Sequence, residues 1–163
     1  MKRIFMNKLI ELARINSNIW LIISDVGFGL VEQFEEEFPD RFINVGISEQ
    51  NALGIAAGLS ATGKNVYFYG IIPFVTYRCM DQIRMFMQYR ELPIKIIGNG
   101  VDKSYKTAGY SHWGIEDEPM MKCFNNIHTI TPRNEFELKN VLELSFLNNN
   151  PMYIRLGNKQ INY

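Results

Sequence analysis

The sequence predicts an α/β fold: a three-layer α/β/α domain, doubly wound around a mostly parallel sheet of about six strands. Six short apolar runs are separated by segments whose apolar residues recur at helical spacing. The runs are apolar on both faces, as strands covered by helices above and below must be; a sheet with one wet face would alternate. Strand and helix also alternate along most of the chain, the order that builds parallel sheets through crossover connections.

Taken in order, residues 4–12 carry apolar residues at helical spacing, and 19–23 form a compact apolar strand ending at Ser24-Asp25-Val26-Gly27. Residues 30–38 are helical, 42–45 a strand, 49–62 a helix and 66–69 a strand. A long helix is expected over 73–89 and a strand over 94–97. An irregular stretch from 98 to about 118 follows, then strand 128–130, helix 134–147 and strand 152–156.

The chain has 163 residues, 47% of them hydrophobic, which suits one domain over 1–163 with a substantial core. Lysine plus arginine equal aspartate plus glutamate at 17 each, so no global field favours nucleic acid or an anionic membrane. A charged ligand must therefore be met locally. The first dozen residues lack the apolar run and small-residue cleavage site of a secretory signal, and no segment reaches the roughly 18 apolar residues of a membrane span. Cys79 and Cys123 stand in no metal-like spacing, so neither a disulfide framework nor a metal site is expected, and a reducing cytoplasm is the default.

In open parallel sheets, ligands bind beyond the carboxyl ends of the strands, where the strand order reverses. The strand-end segments 25–27, 46–51, 70–74 and 98–117 are thus the candidate site. The last is the most telling, because loops longer than about 12–15 residues in compact domains tend to be functional or disordered. Gly46-Ile47-Ser48-Glu49-Gln50-Asn51 opens a helix rich in small residues (Ala52, Gly54, Ala56, Ala57, Gly58, Ala61), a face that permits close approach of a helix or ligand. By itself, Glu49 in a first helical turn is also an ordinary favourable terminus charge, contributing about 0.3–1 kcal/mol.

The stretch Phe38-Pro39-Asp40-Arg41-Phe42-Ile43-Asn44-Val45-Gly46-Ile47-Ser48-Glu49-Gln50-Asn51-Ala52 resembles the pyrimidine-binding domain of transketolases, of 1-deoxyxylulose-5-phosphate synthase and of the beta subunits of 2-oxoacid dehydrogenases. The similarity continues through Ala56-Ala57-Gly58-Leu59, Pro73-Phe74-Val75-Thr76, Asp81-Gln82-Ile83-Arg84 and Gly109-Tyr110-Ser111-His112, and ends near Thr131-Pro132 and Tyr153-Ile154-Arg155. It covers essentially the whole chain in order and implies the thiamine-diphosphate pyrimidine-binding fold.

The resemblance also implies roles. Glu49 matches the carboxyl that hydrogen-bonds a ring nitrogen of the aminopyrimidine and activates the cofactor; burial favours the protonated, donating form of a carboxyl. Phe74 matches an aromatic that stacks on the pyrimidine in the deoxyxylulose synthases, whereas transketolases place their aromatics at Ile72 and Val75, which can still line the slot. His112 matches the histidine of a Gly-Pro-Thr-His segment that faces the thiazolium and the substrate oxygen, where an imidazole can relay a proton. The segment departs from that pattern at Tyr110, Ser111, Trp113 and Gly114.

Asp25 resembles an acidic residue on the substrate side of the cleft, with a helix N-cap as the other reading. Arg78 is a candidate for a substrate phosphate or carboxylate; for Arg78 and Arg84 alike the other reading is a solvated helix face. His128, inside an apolar strand, is read as structural. The Gly-Asp-Gly motif that holds diphosphate and magnesium in this family is not found in this sequence, nor is the family's carboxy-terminal third domain, so either a short split subunit or an excised domain is expected. The expectation is a pyrimidine-binding subunit of a split thiamine-diphosphate-dependent transketolase-like enzyme, acting on sugar phosphates and paired with a diphosphate-binding subunit that holds Mg2+, in a heterotetramer. The alternatives are a 2-oxoacid decarboxylase or dehydrogenase component and a catalytically silent module that stabilises a partner.

Overall fold

The computed structural model describes residues 1–157, and its sheet has six strands, all parallel, in the order β2-β1-β3-β4-β6-β5. They are β1 (Ile19–Ile23), β2 (Phe42–Asn44), β3 (Asn65–Ile71), β4 (Lys95–Asn99), β5 (His128–Ile130) and β6 (Met152–Leu156). Each falls on an apolar run. The α-helical segments are α1 (Lys2–Ile15), α2 (Glu32–Glu37), α3 (Glu49–Ala61), α4 (Ile72–Val75), α5 (Met80–Gln82), α6 (Asp117–Met121) and α7 (Glu135–Leu147). Of the domain expected over 1–163, residues 158–163 lie outside the described residues.

Alternating side chains send every strand but β5 into two cores. Ile19, Leu21 and Ile23 of β1, with Tyr67 and Tyr69 of β3 and Met152, Ile154 and Leu156 of β6, pack against α1, α2 and α7. Ile22, Val66, Phe68, Ile96 and Tyr153 face the opposite way, towards α3 and the helical segments after β3. Fully burying one such aliphatic or aromatic side chain contributes about 1.5–3 kcal/mol, so a doubly covered strand is stabilised from both faces. α7 begins with a reciprocal cap: Asn134 Oδ1 accepts from Glu137 N at 2.9 Å, and Glu137 Oε2 accepts from Arg133 N at 2.9 Å.

β1 pairs with β2 on one side and β3 on the other, so the strand order reverses at β1. The connections there diverge to opposite faces and leave a crevice at the carboxyl ends.

The helix expected over 73–89 is not continuous. α4 ends at Val75 and is followed by a 3-10 turn at Tyr77–Cys79, by α5, and by a π-helical turn at Ile83–Tyr89. Thr76 stands at the break: its Oγ1 and its own backbone N both donate to the Ile72 carbonyl, at 2.6 and 3.0 Å, the back-bonding that bends helices. Gln50 of α3 then donates through Nε2 to the Arg78 carbonyl at 2.7 Å. The stretch after β4 is also more ordered than expected. Asp102 and Gly114 exchange backbone hydrogen bonds of 2.8 and 3.0 Å, which close the intervening residues into a flap holding 3-10 turns at Lys106–Ala108 and Tyr110–His112.

Among the described residues, no helix is long and apolar enough to cross a membrane, and no three His, Cys, Asp or Glu side chains come together to hold a metal ion. Cys79 is buried and Cys123 exposed, both as free thiols.

Candidate active site

The loops leaving β1, β2 and β3 meet at the crevice. Asn44 ties two of them together, its Oδ1 accepting from Asp25 N at 3.1 Å and from Gly46 N at 3.0 Å. Both donors sit at positive φ, 49° at Asp25 and 69° at Gly46, which aspartate and glycine tolerate best. Asp25 is not a helix cap: α2 starts after Val31 with no side-chain cap. Instead it is exposed and lines a cavity of about 160 Å³ with Ser24, Val26, Ile47, Glu49, Gly70, Ile71 and Phe74.

Glu49 is the first residue of α3 and only 6% exposed. Ser48 before it donates its hydroxyl to the Val45 carbonyl at 2.8 Å, which fixes the turn from β2 into the helix. Glu49 Oε2 accepts from Arg78 Nη1 at 3.3 Å. The Arg78 guanidinium lies over the Phe74 ring, 3.8 Å from its centroid. The other neighbour of Phe74 is His112, edge-on with centroids 4.9 Å apart. His112 Nδ1 shares a hydrogen bond of 2.9 Å with Ser111 Oγ, and Gly109, at φ 78°, permits the turn that carries both. Glu49, Arg78, Phe74 and His112 therefore form one continuous run of contacts, although three separate segments supply them.

A second cavity of about 570 Å³ is lined by Ile47, Ser48, Glu49, Gln50, Asn51 and Arg78, so the two cavities share Ile47 and Glu49. Ser24 Oγ, on the wall of the smaller one, is buried with no hydrogen-bond partner among the described residues. A concave slot with a buried carboxyl, an unpartnered hydroxyl and an aromatic fits a flat heteroaromatic ring. Ile72 and Val75 lie behind it. Both are wholly buried: Ile72 packs where a side chain at Gly98 or Gly114 would sit, and Val75 Cγ1 fills the space that a Cβ on Gly70 would need. Gly70 is thus required for the close approach of α4 to the sheet.

Arg84 is remote from this cluster and exposed, beside a cavity of about 620 Å³ that includes Met85, Tyr89 and Asn126. His128 lies exposed at the start of β5, at the opposite end of the sheet, with Nε2 3.5 Å from Asn150 Nδ2.

The sequence reading missed the residues that hold the flap. Arg155 of β6 donates from Nε and Nη2 to the two carboxylate oxygens of Asp117 at 2.6 and 3.1 Å, from Nη1 to Glu118 at 2.5 Å, and from Nη2 to the Gly114 carbonyl at 3.4 Å. Tyr153 donates to Asp117 at 2.5 Å, and burial followed by the Asp117 charge pushes its hydroxyl well above the ordinary phenol range, which keeps it a donor. An arginine in an otherwise apolar strand was the available signal, since a buried guanidinium needs a carboxylate partner. Tyr105 was missed too; its ring centroid lies 6.0 Å from that of His112, and its hydroxyl accepts from Asn99 Nδ2. Cys79 donates its thiol to the Phe74 carbonyl at 3.3 Å, and burial pushes its pKa up to about 12, so it is no nucleophile.

Comparison with known proteins places this geometry. The family described as transketolase, pyrimidine binding domain, matches residues 1–162. A putative transketolase C-terminal section of Methanocaldococcus jannaschii is 32% identical over 157 residues, covering 96% of this chain and 50% of that protein. A subunit of the apulose-4-phosphate transketolase of Actinobacillus succinogenes is 33% identical over 131 residues, covering 80% and 42%. A solved structure described as a split gene transketolase, inactive beta4 tetramer, superposes with a TM-score of 0.85 at 30% identity, covering 98% of this chain and 52% of that one. The chain thus spans about half the length of these relatives, or less.

Proposed function

The chain belongs to the transketolase pyrimidine-binding domain family, and on that premise we propose that it acts as the pyrimidine-binding subunit of a split, thiamine-diphosphate-dependent transketolase-like enzyme. In this reading residues 1–163 form one domain. A partner subunit supplies the diphosphate and Mg2+ site, the two assemble as a heterotetramer, and the reaction moves a ketol unit between sugar phosphates. The observation that carries it is the convergence of Glu49 and Phe74 on one crevice at the strand-order reversal, with His112 from a third segment packed edge-on against Phe74.

Thiamine diphosphate, when bound, supplies a carbon nucleophile and an electron sink for cleaving a bond next to a carbonyl. The Glu49 carboxyl would hydrogen-bond a ring nitrogen of the pyrimidine. Its burial and its seat on the first turn of α3 fix it there. Phe74 provides a flat face, and Ile72 and Val75 support that face from behind. Ser24 lines the same cavity, with its Oγ buried and without a hydrogen-bond partner among the described residues. His112 moves a proton at the substrate oxygen, its Nδ1 oriented by Ser111 and its ring braced against Phe74. Asp25 at the cavity mouth and Arg78 orient the substrate's hydroxyl and anionic groups.

The relatives named as a transketolase subunit and as a split-gene chain support dependence on a partner. Calorimetry and a ketol-transfer assay, each run with and without a diphosphate-binding partner chain, test it. The chain alone is expected to bind thiamine diphosphate weakly and to be inactive; addition of the partner restores magnesium-dependent binding and turnover. Full activity of the 163-residue chain alone would refute the split site.

A further inference from the structure

Arg78 stands where the cofactor's ring is proposed to lie. Its guanidinium carbon is 3.8 Å from the Phe74 centroid and its Nη1 donates to Glu49 at 3.3 Å. A guanidinium and an aminopyrimidine share the features these two residues read: a flat delocalised face for an aromatic to cover, and in-plane N–H donors for a carboxyl. The backbone at this point is fixed, because Gln50 holds the Arg78 carbonyl at 2.7 Å and the adjacent Cys79 is wholly buried. The side chain is not: it is 48% exposed, with open solvent to turn into. Glu49 lines one cavity with Arg78 and the other with Phe74, so the bridge from Arg78 to Glu49 stands between them.

We propose that Arg78 is an occluding residue: in the free chain its guanidinium fills the aminopyrimidine seat between Glu49 and Phe74, and a ring binds there by turning it outward. This rests on the seat assigned under the proposed function. Once displaced, the guanidinium stays tethered four residues from Phe74 at the mouth of the site, so its charge meets an anionic substrate group only after the ring is seated. The competition is modest. A half-exposed guanidinium on an aromatic face and its ion pair with the buried Glu49 together amount to about a three- to thirtyfold effect on affinity.

The test uses the full 163-residue chain and two small probes, 4-amino-2-methylpyrimidine and methylguanidinium, titrated by NMR into wild type, Arg78→Ala and Arg78→Lys. Neither probe carries a thiazolium or a diphosphate. Arg78→Ala is expected to bind the pyrimidine about three- to thirtyfold more tightly than wild type, with methylguanidinium competing on the variant and not on wild type. Arg78→Lys keeps the charge but not the flat face, and it too is expected to bind more tightly than wild type. Equal affinity in wild type and Arg78→Ala overturns the occlusion while leaving the pyrimidine seat standing. Weaker binding by Arg78→Ala also overturns it and makes Arg78 a ligand contact. Methylguanidinium bound by Arg78→Ala, with the pyrimidine bound by no variant, overturns the seat and the occlusion together.

Discussion

Replacing Arg155 with methionine tests whether the flap that carries His112 is held from β6. The guanidinium is 5% exposed and the Asp117 carboxylate 0%. Arg155→Met removes both charged bonds to Asp117, the bonds to Glu118 and to Thr131 Oγ1, and the bond to Gly114 two residues past His112, and it leaves Asp117 with Tyr153 alone. Breaking a buried pair from one side costs about 3–5 kcal/mol, because the surviving charge stays buried without its partner. A domain of this size loses about 2–4 °C per kcal/mol, so the melting temperature should fall by roughly 6–20 °C. Urea titration gives the free energy directly. The double variant Arg155→Met/Asp117→Asn leaves no orphaned charge and should recover much of the loss. A single variant within about 1 kcal/mol of wild type, or a double variant showing the plain sum of two losses, would refute the clamp.

In the assembled enzyme, Glu49→Gln should nearly abolish exchange of the thiazolium C2 proton while the domain still folds; an unchanged exchange rate would remove Glu49 from its role. His112→Ala should leave that exchange near wild type and lower turnover by about 10² to 10⁴-fold, the usual loss for a general acid or base, whereas loss of exchange would assign the histidine to the cofactor. Lys95 is 1% exposed, with the Pro93 and Asn148 carbonyls as its acceptors among the described residues at 2.8 and 3.3 Å, and burial lowers its pKa from 10.5 to about 8. Between those values the unfolded chain holds a proton that the folded chain has released, so stability should rise with pH across that window and carry the full burial penalty below it. Relative to Lys95→Met, wild type should gain on the order of 3 kcal/mol from neutral pH to the top of the window by urea titration; parallel profiles for the two proteins would refute it.

The strands were legible because burial on both faces demands apolar runs, and those runs are short and bounded. The glutamate turn was legible because Glu49 lies between a strand and a helix in a quotable motif. The Arg155–Asp117 pair was not, because an arginine in an apolar strand signals that a carboxylate is needed but not which one, and the partners lie 38 positions apart. The break at Thr76 was hidden for a different reason: a threonine inside an apolar, helix-like stretch is ambiguous until its hydroxyl is seen to take the carbonyl four residues back.

One question that family resemblance left open could have been answered from the residues themselves. Phe74, Ile72 and Val75 were all candidates for the slot. The wholly buried hydrophobic side chains within residues 72–89 are Ile72, Val75, Cys79, Ile83 and Met87, at spacings of three, four, four and four, with Thr76 wholly buried beside Val75. That is the stripe of a helix packed on a core, and it survives the changes of helix type along the segment because each change shifts the pitch without turning the apolar face outward. Phe74 falls off the stripe, and Arg78, four residues on, falls off it on the same side, which is why the ring and the guanidinium meet. The same spacing that fixes Ile72 and Val75 as core thus leaves Phe74 and Arg78 together on the other side of the segment, where Phe74 lines the smaller cavity and Arg78 the larger.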